Sequence, residues 1–222
     1  MSLERELGEG EFIVFEGIDF SGKGEQIRRF VDYLRTKGGK VSQTEEPWSG
    51  GLRTEIKKKI SQKEGDKEEI LGLYLTDRIM HIDEFVKPKI KQGNTVVSDR
   101  FDLSTVAYQG TQGFTHEELV AKVSKNRFVP NVSFYIDISA EESMRRKALA
   151  AEQSERSEID NNILFENLAF QTGVRERYLK LAKDKKNFPE IIVIDGNGTV
   201  EEVHQRIVQA YEAHLASKSE DS

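Results

Sequence analysis

Cysteine is absent from this chain, which excludes a disulfide framework and any metal site built on thiolates. No apolar run approaches the roughly 20 residues needed to span a bilayer. An excess of basic charge is missing too. Thirty-three Lys and Arg stand against 39 Asp and Glu, a formal charge of −6. A general surface for polymeric nucleic acid would be basic, so that class is excluded. The four histidines, His81, His116, His204 and His214, lack metal-ligand spacing. Met1 to Gly10 is polar and acidic and is not a signal peptide. No internal repeat or linker is evident. A cytoplasmic protein without membrane partners is the expectation. What is present is a 222-residue chain, 36% hydrophobic and 32% charged. That length suits one α/β domain with a small lid.

The organising stretch is Gly17-Ile18-Asp19-Phe20-Ser21-Gly22-Lys23-Gly24. It follows the phosphate-loop pattern G-x-x-x-x-G-K-[ST] up to its last position. Phe12 to Phe15 precede it as a short apolar strand. Ile27, Phe30, Val31 and Leu34 follow at i, i+3, i+4 and i+7, one face of a helix. Strand, glycine loop and helix together make the motif a structural expectation. Glycines let backbone N–H groups turn inward, and the helix N-terminus adds positive potential. Gly17, Ser21, Gly22, Lys23, Gly24 and Glu25 are therefore the candidate donor-phosphate site. Lys23 supplies a mobile charge.

Strands alternate with helices along the rest of the chain. Strands are expected at 41–44, 95–98, 132–138 and 191–194. Helices are expected at 22–37, 52–60, 67–92 with a bend at Pro88, 102–109, from 115, from 140, 163–183 and 199–216. This pattern predicts a three-layer α/β/α fold with a five-stranded parallel sheet, of the P-loop NTPase type. Ligands in such sheets bind beyond the C-terminal strand ends. The loop at Gly17, Glu46-Pro47 and Asp99-Arg100 should therefore line one cleft. A single domain is expected over 10–216, with a charged lid at about 148–163. The termini, 1–9 and 217–222, are expected to be flexible.

Several further runs go beyond a phosphate loop. Phe-Glu-Gly-Ile-Asp (15–19), Glu46-Pro47, Asp77-Arg78 and Asp99-Arg100-x-x-x-Ser104-x-x-Ala107-Tyr108-Gln109-Gly110 resemble the thymidylate kinase family. The run 174–178 resembles the helix after that family's lid. The resemblance implies transfer of the γ-phosphoryl of ATP to deoxythymidine monophosphate, with Mg²⁺, by a homodimer. It implies that Asp19 meets the sugar hydroxyl, Tyr74 stacks on thymine and Arg78 bonds the base. It also implies that Tyr108 excludes a ribose 2′-hydroxyl, with Gln109 beside it. Tyr74 and Arg78 are i, i+4 on one helix face, which supports this reading, with ordinary core packing the alternative for Tyr74.

The transfer needs positioning and charge neutralisation. Lys23 would bridge donor phosphates. Asp99 would anchor the Mg²⁺ shell, or cap a helix. Arg100 would clamp the acceptor phosphate with its planar fork, or form a salt bridge. Glu46 and Ser104 are weaker acceptor candidates that turns or caps would also explain.

Four positions depart from the family. Gly24 stands where a hydroxyl ligates Mg²⁺. Glu25 follows it as a possible metal ligand. Glu45 replaces an arginine. Ile163-Leu164-Phe165-Glu166 lacks a lid arginine. Phe20 excludes an arginine inside the loop, so Arg145, Arg146 and Arg156 are the lid-side candidates, with Arg156 preferred as the catalytic one. These departures keep two alternatives open: a kinase for another nucleoside or nucleotide, and a nucleotide-binding protein with weak or no kinase activity.

Overall fold

The computed structural model describes residues 10–62, 64–125, 127–153 and 167–220. Five parallel strands form one sheet in the order β2-β3-β1-β4-β5. They are β1 (Phe12–Glu16), β2 (Val41–Glu45), β3 (Thr95–Asp99), β4 (Val132–Asp137) and β5 (Ile191–Asp195). The helices are α1 (Lys23–Thr36), α2 (Gly50–Gln62), α3 (Lys67–His81), α4 (Lys87–Lys91), α5 (Asp102–Gln109), α6 (His116–Ser124), α7 (Ala140–Gln153), α8 (Leu168–Lys183) and α9 (Val200–Glu220).

Strand periodicity decides which layer each side chain joins. Ile13 and Phe15 point to one face and pack with Ile27, Phe30 and Val31 of α1 and with Ile207 and Tyr211 of α9. Phe12 and Val14 point to the other, against Ile82, Val86 and Phe101. Glu16 continues that second face and is fully buried. Farther along the same layer, α5, α6 and α8 contribute Leu103, Val106, Leu119, Val174 and Leu181 to the largest core cluster.

One of the following expectations holds and one needs correction. The helical region at 67–92 is interrupted as the proline suggests: a π-helical turn spans Ile82–Val86, the turn preceding Pro88, and Pro88 itself lies in α4. Proline has no N–H to give and its ring crowds the carbonyl four residues back, here that of Glu84 inside the π turn. The tail expected to be flexible from 217 is helical as far as Glu220. No glycine or proline interrupts 200–220, and Lys218 approaches Glu11 at 3.9 Å. The segment 1–9 and most of the expected lid, 148–163, lie outside the described residues.

The parallel register brings the functional turns to one edge. Glu45 of β2 lies opposite Asp99 of β3, and Asp99 lies opposite Phe15 of β1. Glu46 N–H donates to Asp99 O at 3.0 Å, and Arg100 N–H donates to Phe15 O at 2.9 Å.

Candidate active site

The glycine loop leaves β1 and enters α1 at Gly22, whose φ of 91° suits glycine. A Cβ on Gly17 would lie 2.8 Å from the Ile136 carbonyl, so the loop packs against β4 only with glycine there. Lys23 is buried and donates to the carbonyls of Gly17 at 3.2 Å and Ile18 at 3.4 Å. Burial, joined by neighbouring Arg100, lowers its ammonium below the ordinary 10.5, against the pull of Asp99, Asp19 and Glu16. The Ser21 hydroxyl is buried without a partner among the described residues. Phe20, at φ 55°, turns a ring toward the site where an arginine was considered.

Beside the loop lies a cavity of about 490 Å³. All eight residues expected to bind the acceptor line it: Asp19, Glu46, Tyr74, Arg78, Arg100, Ser104, Tyr108 and Gln109. Pro47, Ile56, Ile60 and Phe101 add apolar walls. Tyr74 is held deep enough that burial raises its phenol to about 12.

Arg100 is the junction of the two halves. Its backbone is left-handed, at φ 70°. Its fork donates to Gly17 O (3.2 Å), Ser104 Oγ (3.2 Å), Asp19 Oδ1 (2.6 Å) and Tyr108 Oη (3.0 Å). Asp19 also accepts from Tyr108 Oη at 3.1 Å and Gln171 Nε2 at 3.0 Å. Burial pushes the Asp19 carboxyl up, but Arg100 and Lys23 outweigh it and hold it below the ordinary 3.8.

Arg78 faces the opposite wall. Nε and Nη2 donate to Glu46 Oε2 at 3.0 and 2.8 Å, and Nη2 also reaches Phe101 O and Thr105 Oγ1. Nη1 is buried without a partner among the described residues, as is Oε1 of Gln109. Asp77, its sequence neighbour, accepts the N–H groups of Trp48 and Ser49 at 2.6 and 2.7 Å and fixes the turn after Pro47.

Metal chemistry has a narrow basis. Among the described residues no group of three or more His, Asp or Glu could hold an ion. Asp99 Oδ1 is buried and unpartnered among them, one carboxylate oxygen suited to a hydrated hard cation that keeps most of its ligands as water and phosphate. Gly24 carries no hydroxyl. The Glu25 carboxylate is engaged by Arg28 and Arg29, each at 2.7 Å, and these bonds hold it at about 2. Glu45 pairs with Arg53 of α2 at 2.7 Å.

Of the three candidate lid arginines, Arg156 lies outside the described residues, as do Ile163 to Glu166. Arg145 is solvent-facing and pairs with Glu142. Arg146 points inward, donating to Ser21 O at 3.2 Å and Gly196 O at 2.9 Å. Sequence reasoning gave no role to Glu16, which accepts from Phe101 N, Ser104 N, Ser104 Oγ and Tyr178 Oη. The signal for it was parity: a glutamate on the buried face of an apolar strand needs donors.

A lysine-bearing phosphate loop and the adjoining cavity meet at the C-terminal ends of the strands. The molecule is of the P-loop nucleotide kinase class. The family model for thymidylate kinase matches residues 15–207. The thymidylate kinase of Idiomarina loihiensis is 37% identical over 216 residues, covering 93% of this chain and 98% of the relative. That of Fervidobacterium nodosum is 32% identical over 207 residues, covering 92% and 100%. A probable thymidylate kinase of Thermococcus kodakarensis is 34% identical over 220 residues, covering 93% and 100%. The chain belongs to the thymidylate kinase family.

Proposed function

We propose that the protein transfers the γ-phosphoryl group of ATP to deoxythymidine monophosphate, giving the diphosphate. What supports this reading is the cavity beside the phosphate loop, lined by Asp19, Tyr74, Arg78, Arg100, Tyr108 and Gln109; Arg78 Nη1 and Gln109 Oε1 are buried in its surround without partners among the described residues. Thymine offers the complement, a carbonyl at C4 and an N3–H. An unmet buried donor and acceptor favour the ligand that satisfies both. Tyr74 supplies the face against which the ring stacks.

The residues divide the work. Lys23 exchanges the loop carbonyls for donor phosphate oxygens, and the N–H groups of 17–25 cradle them. Arg100 presents its fork to the acceptor phosphate. Asp19 receives the sugar 3′-hydroxyl, and Tyr108 fills the space a 2′-hydroxyl would need. Ser104 and Glu46 orient Arg100 and Arg78 respectively. Arg146 is the candidate for the donor side among the described residues, and Arg156 for closure from the lid at 148–163 of a single domain spanning 10–216.

Mg²⁺ fits this site as a hydrated ion held through Asp99, and when bound it neutralises charge on the transferring phosphates. Cytoplasmic location and a homodimer complete the proposal; no helix of the described residues is long and apolar enough to cross a membrane.

Coupled ADP release, measured over a panel of nucleosides and monophosphates with ATP and Mg²⁺, tests the reading. Deoxythymidine monophosphate should be turned over well above the rest. Turnover with nucleosides alone, or saturable binding without turnover, would overturn it.

A further inference from the structure

His81, at the end of α3, is completely buried, and no part of the proposed reaction uses it. Both ring nitrogens are engaged. Nδ1 lies 3.0 Å from Glu46 Oε1, and Nε2 lies 2.9 Å from Thr44 Oγ1. A carboxylate beside a guanidinium can only accept, so Nδ1 donates to it. Trp48 stacks over the imidazole, with centroids 5.6 Å apart and planes 19° apart. The other oxygen of the same carboxylate, Oε2, receives Nε and Nη2 of Arg78. A chain thus runs from Thr44 in β2, through His81 and Glu46, to Arg78 on the cavity wall. It holds two nitrogens of the guanidinium and leaves Nη1 as the unpartnered one.

We infer that His81 is a positioning residue for selection of the acceptor base. By fixing Glu46 it fixes the rotation of the Arg78 fork, and so the direction of the two N–H groups on Nη1, which have no partner among the described residues. Without the imidazole, Glu46 keeps only Arg78 as a side-chain partner and is free to turn. Arg78 Nη2 keeps Phe101 O and Thr105 Oγ1 as partners, but Nε is held by Glu46 alone, so a turning carboxylate lets the plane of the fork rotate about Nη2 and discrimination between a C4 carbonyl and a C4 amino group weakens. This inference rests on the proposed kinase reading.

The test compares His81→Asn, His81→Gln and His81→Ala in the full chain. The asparagine amide nitrogen occupies the place of Nδ1, and the glutamine amide nitrogen that of Nε2. His81→Asn should therefore keep the donation to Glu46. Steady-state rates are measured with deoxythymidine and deoxycytidine monophosphates. In His81→Gln and His81→Ala the KM for deoxythymidine monophosphate should rise about tenfold, and its kcat/KM advantage over the cytosine analogue should fall about as much, the size of one lost charged hydrogen bond. The kcat at saturation and the KM for ATP should stay within about twofold, and His81→Asn should stay near the unmodified protein. Equal behaviour of Asn and Gln, or a fall in kcat with KM unchanged, overturns the inference while leaving the kinase reading intact. Should His81→Ala fail to fold, the Asn and Gln pair still decides. Absence of turnover in the unmodified protein sinks the kinase reading, and this inference with it.

Discussion

Arg100 Nη2 lies 2.6 Å from Asp19 Oδ1, so the residue proposed for the acceptor phosphate and the one proposed for its sugar are bonded to each other. Tyr108 Oη touches both, at 3.0 and 3.1 Å. The three form a preset corner between the phosphate loop and the cavity. A ligand entering this corner exchanges existing charged bonds for its own, so no bare charge waits in the site. The left-handed backbone of Arg100 directs the side chain back across the loop, and the segment is tied from below by Glu16 through Phe101 N and Ser104 N.

Arg100→Ala should therefore abolish acceptor use. The expected loss in kcat/KM for deoxythymidine monophosphate is on the order of 10³-fold, the scale of a charge-neutralising arginine in phosphoryl transfer. Arg100→Lys should recover only part of it, because a point charge cannot reproduce the fork. Steady-state kinetics decide the matter, and unchanged kinetics in the alanine variant would refute the assignment.

The two carboxylates around this corner respond to pH with opposite signs. Burial raises the Glu16 carboxyl above its ordinary 4.5, despite bonds from Ser104 and Tyr178 and the charge of Arg100. Asp19 is held below 3.8. A raised carboxyl destabilises the fold as it ionises, so the penalty grows from about pH 4.5 upward and is complete above the folded value. A depressed carboxyl stabilises the fold above 3.8 and loses that contribution as pH falls through its folded value. The Tm of Glu16→Gln relative to the unmodified protein should therefore rise as pH increases through the window that opens at 4.5. That of Asp19→Asn should fall as pH increases toward 3.8. Thermal scans between about pH 3 and 8 test both; shifts of the same sign would refute the assignment of opposite environments.

Much of this site was legible because it rests on spacing. Tyr74 and Arg78 share a helix face, as do Ser104 and Tyr108 within α5; Arg100, which precedes α5 with left-handed backbone, was legible only through the family resemblance of its motif. Asp19 follows a strand whose parity is readable from Phe12 to Phe15. Long-range pairings were not legible. Nothing local says that Glu46 will be shared between Arg78, 32 residues away, and His81, 35 residues away. The buried cluster of Arg127 with Asp102 and Glu190 is equally silent, since it joins α5 to two connecting segments far apart in sequence. Pro88 was legible locally: its ring acts on the carbonyl four residues back, and the π turn lies at Ile82–Val86.

Arg146→Ala separates the donor from the acceptor side. The side chain bridges the carbonyls of Ser21 and Gly196, the turns after β1 and β5, and is anchored by Glu142 at 2.7 Å. None of its bonds involves a residue proposed for the acceptor. Its removal should raise the KM for ATP about tenfold, the scale of one or two charge-assisted bonds, and leave the KM for deoxythymidine monophosphate within about twofold. A matching rise in the acceptor KM would place Arg146 in the acceptor site instead.

Gly24 is the sharpest departure from the phosphate-loop pattern, and its surroundings make it testable without structural damage. A Cβ built there meets nothing within 4 Å, and the position is the second residue of α1. Serine is a better helix former than glycine by about 0.5 kcal/mol, so Gly24→Ser should fold at least as well. Glu25, next in sequence, is committed to Arg28 and Arg29 and is poorly placed to substitute for the missing hydroxyl. In a bound Mg²⁺ shell that position would fall to water, and an added hydroxyl would be expected to take it. The expected result is a lower Mg²⁺ concentration at half-maximal rate and a higher kcat, read from magnesium titrations of ADP release at saturating ATP and acceptor. An unchanged titration with an unchanged Tm would mean that the ion is held through Asp99, water and phosphates alone, and that the lost hydroxyl does not limit this enzyme.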